Sequence, residues 1–268
     1  VAGSGVRVAR VSDPRVPMAP DRNTAALAVG ELLRRTGRTD HGLEVEVDKG
    51  LPLAGGLGGS AASAVAAVVA AQALLGTRFT PLELGAMALE AEAVVAGRHA
   101  DNLAPSLLGG AVLVRSVDPL DLVRVPVASG LAFVLVTPDY GVETRTARAV
   151  LPQLVARSVA VAQAAHLGAL LLGLGSGDPD LIRGALVDHI AEPARAPLFP
   201  GYAEARAGAL EAGALGVVVS GAGPTLVALS CEGLAARVAR ALEDGYRKAG
   251  HAASARVSAP DARGVRVE

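Results

Sequence analysis

The residues most able to do chemistry crowd into one stretch, P-L-A-G-G-L-G-G-S-A-A-S at positions 52–63, where Gly55, Gly56, Gly58 and Gly59 lead to the hydroxyl of Ser60. A glycine-lined helix entrance leaves bare N–H groups at the positive end of the helix dipole, so phosphate oxygens can approach them closely. Two familiar phosphate loops are excluded. The pattern G-x-x-x-x-G-K-[ST] fails because no lysine lies between Lys49 and Lys248, and Gly56, Gly58, Ala61 misses the third glycine of the dinucleotide fingerprint. Read alone, the stretch is equally compatible with an ordinary strand-to-helix turn.

Glu90 and Glu92 lie two apart in a helical pattern, on roughly opposite faces, so at most one of them can point into a site. Thr144 and Arg148 are four apart and share a face of any helix that starts near Glu143. His99 by itself reads as a loop histidine, and Asp101 as a turn former or cap.

The elements that must position these groups are legible on either side of the glycines. Leu43, Val45 and Val47 alternate with Glu44, Glu46 and Asp48, which predicts a half-buried strand. From Ala61 to Leu75 the chain holds no proline or glycine and is mostly alanine, which predicts a helix buried on most of its circumference and stopped by Gly76. Asn23 caps a helix that ends at Gly37. Thr80, Pro81 and Glu83 form a capping box for another that runs to Ala96. Val1 to Arg10 alternates weakly as a strand, Phe133–Val136 and Val217–Val219 read as buried strands, and A-R-V and V-R-V near the end read as edge strands. Asp178 and Pro179 open a helix, Leu234 to Leu242 is amphipathic, and positions 169–177 read as a helix end with a flexible connection.

Composition bounds the rest. The 268 residues, 51% of them apolar, suffice for one large or two ordinary domains with a substantial core. With 25 basic against 26 acidic residues, and 3 tyrosines, 3 phenylalanines and no tryptophan, there is neither a basic footprint nor a stacking platform for nucleic acid. The apolar run Ala61 to Leu75 is short of a membrane span, and no basic-then-apolar leader opens the chain, so neither nucleic acid nor a membrane is expected as a partner. The single cysteine, Cys231, allows no intrachain disulfide, which agrees with a cytoplasmic setting.

The motif P-x-x-x-G-L-G-x-S-A-A resembles the nucleotide loop of the GHMP family of small-molecule kinases. Where the family usually carries two serines, this chain has Gly59 and then Ser60. H-A-D-N-x-A-P-x-x-x-G-G from His99, T-x-x-A-R-x-x-L-P from Thr144, H-I-A-E-P-A-R ending at Arg195 and S-G-A-G-P-T from Ser220 follow in family order and resemble its homoserine-phosphorylating branch. The family's opening motif, P-x-S-x-N-L-G-x-G-F-D, has no counterpart here. The resemblance therefore implies a chain lacking its start, and with it an asparagine and an aspartate that hold the substrate's amino and hydroxyl end.

The resemblance implies an α+β fold of two domains. These are a ribosomal-protein-S5-domain-2-like N-terminal domain over residues 1–129, which binds nucleotide and lacks its first strand, and a ferredoxin-like C-terminal domain over 130–268. It implies ATP and Mg2+ as cofactors and L-homoserine as the small-molecule substrate, giving O-phospho-L-homoserine on the way to threonine, with a homodimer as the expected assembly. Pro52, Leu53, Ala54, Gly55, Gly56, Leu57, Gly58, Gly59, Ser60, Ala61 and Ala62 would cradle the phosphates. Ser60 and Glu92 would hold the metal, with water and phosphate filling its other positions. Asp101 and Asn102 would stand at the reacting hydroxyl, with His99 on the acceptor side. Thr144, Arg148, Arg195 and Gly221 would bind the acceptor, the paired arginines suiting its carboxylate because a guanidinium fork meets both oxygens in plane. Arg145 and Arg206 match nothing in the family and read as surface charges. Two alternatives stand beside this one: a related kinase with a mevalonate-type acceptor, and a non-catalytic protein that binds nucleotide or a partner.

Overall fold

A computed structural model describes residues 3–268, so positions 1 and 2 of the expected opening strand lie outside the described residues. The described residues form two compact units: 3–52, 58–124 and 261–268 make the first, and 53–57 with 125–260 the second. The switch between them at Arg124 and Val125 lies a few residues before the division read from the sequence. Two short segments, 53–57 and 261–268, also belong with the unit more distant in sequence.

In the first unit, β1 (Gly5–Val11) pairs in parallel with β2 (Gly42–Val47). Helix α1 (Thr24–Thr36) joins them. It opens on Asn23, whose side chain accepts from the N–H groups of Ala25 and Ala26, and closes on Gly37 in the left-handed conformation. Next come α2 (Gly59–Leu75), α3 (Pro81–Val95) with the complete Thr80–Glu83 capping box, α4 (Leu103–Leu108), and β3 (Ala111–Val117) paired with β4 (Leu120–Val125). The core of this unit is the helix layer, where Leu32, Val65, Val68, Met87, Leu89 and Leu103 are almost fully buried. The expectation of a helix buried on most of its circumference is corrected: Ala61, Ala64, Val65, Val68 and Ala71 are buried, while Leu74 is 74% exposed. An alanine-rich helix has no polar stripe to mark its outer side, so the letters hide which face is wet.

The second unit holds β5 (Leu131–Pro138), α5 (Thr144–Ala149), α6 (Arg157–Ser176), α7 (Pro179–Ala185), α8 (Ala191–Arg195), α9 (Tyr202–Glu211), β6 (Gly216–Val219), β7 (Leu226–Cys231), α10 (Ala235–Lys248) and β8 (Ala253–Ser258). Its sheet runs in the order β6-β7-β5-β8 with every pair antiparallel, and α9 and α10 follow the first and third of its strands in chain order. This βαββαβ arrangement is the ferredoxin-like topology. Val134, Val136, Leu226, Val238, Leu242 and Tyr246 fill the space between sheet and helices.

Two local readings are corrected here. The V-R-V of 265–267 is not a strand; Val265 instead donates its N–H to Leu107 O, returning the chain end to the first unit. Positions 169–177 are the last turns of α6 and not a flexible connection. By length and composition α6 is apolar enough to cross a membrane, and only 11% of its most apolar window is buried, with Val161 and Leu172 mostly exposed. Interspersed glycines and alanines disguise its length in the sequence.

Candidate active site

Within the first unit, α2 begins directly after the glycines, with Gly58 as N-cap and no side chain closing its first turn. The N-terminus of a 17-residue helix is therefore left without the capping oxygen that Asn23 supplies to α1. Ser60 lies in that first turn. Its Oγ donates to Glu92 Oε2 at 3.1 Å, joining α2 to α3. Glu92 is 6% exposed, whereas Glu90 is paired with Arg98 at the surface, so the opposite-face expectation separates the two glutamates as the spacing predicts. Asn102 packs so tightly on Gly58 that a Cβ at Gly58 would come within 2.7 Å of the Asn102 Cβ. Asp101 is exposed and accepts from the N–H of Asn102, and His99 is exposed beside it.

Sequence reasoning passed over Lys49. Its ammonium is half-buried at the end of β2 and donates to Gly59 O at 2.7 Å and to Ser63 Oγ at 2.5 Å, both in the first turns of α2. Burial pushes its pKa down, against the pull of Glu92 and Asp13. A cavity of about 570 Å³ opens beside it, lined by Val45, Val47, Gly59, Ser63 and Ala67 among others. The available signal was its isolation: apart from Lys248 it is the chain's sole lysine, and it stands directly before the glycine loop.

The middle of the loop, residues 53–57, belongs to the second unit. Ala54 has φ of 55°, Gly56 of 74° and Gly58 of 67°, a left-handed residue at every second position. Ala54 is the non-glycine among them, and such strain is retained where surrounding contacts fix it, commonly at ligand sites. Ser220 Oγ donates to Gly56 O at 2.9 Å. A Cβ on Gly56 would overlap Ser220 O and stand 2.8 Å from Gly223 N. Gly56→Ala is therefore expected to destabilise the protein by about 1–3 kcal/mol and to weaken nucleotide binding further. Thermal melts with and without ATP check it, and a wild-type response to ATP would refute the loop's role.

Arg148 is half-buried on α5, and Thr144, the first residue of that helix, is exposed. Arg195 ends α8. Its Nε donates to Ala147 O at 2.9 Å and its Nη1 to Gly221 O at 2.7 Å, so it joins the residue before Arg148 to the turn that holds Gly56. Thus Arg195, Gly221 and α5 meet in one place. The reading of Arg206 as a surface charge is corrected: it faces the buried Glu192, with Nε 3.5 Å from Oε1. Burial raises the Glu192 pKa to about 7, with Arg206 lowering it and Asp188 raising it further.

A serine–glutamate pair at an uncapped helix N-terminus in the first unit, together with a ferredoxin-like second unit, is the arrangement expected of a small-molecule kinase. Residues 23–110 match the GHMP kinases N terminal domain and residues 154–248 match GHMP kinases C terminal. With the relatives below, this shows that the chain belongs to the GHMP kinase family. It is 43% identical to a homoserine kinase of Chlorobium phaeobacteroides (strain BS1) over 86% of this chain and 74% of that protein. It is also 43% identical to a homoserine kinase of Chlorobaculum tepidum, over 80% of this chain and 68% of that one. A crystal structure of homoserine kinase from Cytophaga hutchinsonii superposes with a TM-score of 0.93 at 40% identity, covering 98% of this chain and 85% of that one.

Proposed function

We propose that this protein transfers the γ-phosphoryl group of ATP to the side-chain hydroxyl of L-homoserine, forming O-phospho-L-homoserine for threonine synthesis. The observation that carries the reading is the buried Glu92 accepting from Ser60 at a helix N-terminus that no side chain caps. Hydroxyl and carboxylate, 3.1 Å apart, form an all-oxygen partial set. That suits Mg2+, which takes its other ligands from water and phosphate. Bound there, the ion would neutralise charge on the β- and γ-phosphates.

The chain's own residues position the reactants. The bare amides from Gly59 onward donate to phosphate oxygens, and the cavity beside Lys49 has the size of a nucleoside site. Arg148 and Arg195 take the amino-acid carboxylate, Thr144 and Gly221 line that subsite, and His99, Asp101 and Asn102 face the hydroxyl. The relatives named homoserine kinase favour this acceptor over a mevalonate-type one. We place the enzyme in the cytoplasm, a reading supported by its lone cysteine. We also expect a homodimer, supported by the exposed Val161 and Leu172, eleven residues apart on one side of α6, an apolar stripe suited to a second copy.

Steady-state ADP release with and without homoserine tests the assignment. Acceleration by homoserine and not by mevalonate is expected. Equal rates with intact ATP binding would favour the non-catalytic alternative.

A further inference from the structure

We propose that Glu192, through Arg206, is a positioning residue that sets Arg195 for the acceptor carboxylate; this rests on the reading of Arg195 given above. Helix α8 spans only Ala191–Arg195, too short to hold its own geometry in water. It is fixed from outside. The Asp188 carboxylate accepts from the N–H groups of Ile190, Ala191 and Glu192 at 2.8, 2.8 and 3.1 Å, which secures the start of the helix. The other anchor is the Glu192 side chain, 9% exposed and turned toward Arg206 on α9.

A buried ion pair is weak evidence for stability, because well-packed apolar residues of the same volume often serve as well. Fixing one arrangement among several is its better-attested use. Here there is an arrangement to fix. Arg195 follows Glu192 by three residues and must reach Ala147 O and Gly221 O, two acceptors on separate segments. A small shift of α8 would break one of those bonds and re-aim the guanidinium.

The charged groups facing Glu192 are Arg206 from α9 and Asp188 from the segment before α8. Burial holds its carboxyl at about 7, above the ordinary 4.5, with Arg206 lowering it and Asp188 raising it. Between those values the folded protein holds a proton that the unfolded chain has released. Stability therefore falls as pH rises through this window, and near and above 7 the ionised carboxylate pairs with Arg206. Activity runs the other way. Homoserine KM is expected to fall as pH rises through 7.

The test is steady-state kinetics of wild type and Glu192→Gln across that range, varying homoserine and ATP separately. Glu192→Gln should raise homoserine KM about tenfold, leave kcat and ATP KM within about twofold, and abolish the pH dependence of homoserine KM. Glu192→Gln/Arg206→Gln should be no worse than either single variant. An unchanged homoserine KM, an equal effect on ATP KM, or a surviving wild-type pH profile would overturn the proposal. Arg195→Met separates the two levels. If it raises homoserine KM while Glu192→Gln does not, the positioning role fails and the clamp stands; if it changes nothing, both fall. Should Glu192→Gln not fold, Arg206→Gln alone carries the same kinetic expectation.

Discussion

Glu92→Gln is expected to lower kcat by on the order of 10²- to 10³-fold, the usual effect of removing a charge aimed at the reacting group in a water-poor site. The substitution keeps the shape of a side chain that is 6% exposed and preserves an acceptor for Ser60 Oγ. It removes a carboxylate from the interior, so stability should hold or rise. Measuring kcat against Mg2+ concentration beside a thermal melt separates the possibilities. Loss of activity with an unchanged melt, and a higher Mg2+ requirement, is the expected result. If activity and melting temperature fall together, Glu92 is only a packed partner of α2. Ser60→Ala should act in the same direction and more weakly, reducing turnover and raising the Mg2+ requirement more than it changes thermal stability. An equal drop in folding would mark Ser60 as part of the helix start alone.

Arg148→Ala is expected to raise homoserine KM about 10- to 100-fold, the equivalent of losing a charge-assisted contact worth about 1.5–3 kcal/mol. ATP KM should stay close to wild type. Arg148 is the cleaner of the two arginines to test, because Arg195 also joins Ala147 O to Gly221 O. Removing Arg195 also deletes its bonds to Ala147 O and Gly221 O, so its variant should raise homoserine KM for structural reasons as well. A homoserine KM indifferent to Arg148 would return the assignment to a related kinase with an acceptor that carries no amino-acid carboxylate.

Much of the site could be read from local rules. The start and stop of α2, the Asn23 cap, the Thr80–Glu83 box and the opposed faces of Glu90 and Glu92 depend on residues within a turn or two of each other. What escaped depends on distant partners. Nothing near Lys49 announces that its ammonium turns into the first turns of α2. Nothing near Arg206 announces a buried glutamate fourteen positions earlier. The exposure of α6 and of one side of α2 was hidden for a related reason. Alanine and glycine carry no pattern that distinguishes a wet face from a dry one, so burial is decided by neighbours the letters do not show.

The return of residues 261–268 to the first unit bears on how the polypeptide matures. Asp261 O accepts from Gly110 N and Ala262 O from Arg124, so the first unit is completed by a segment made only after the whole of the second. During vectorial synthesis the ferredoxin-like unit can close while the ribosome still withholds those contacts, reversing the order in which domains usually complete themselves. A chain halted at Pro260 would leave Gly109 facing water where Gly264 now packs.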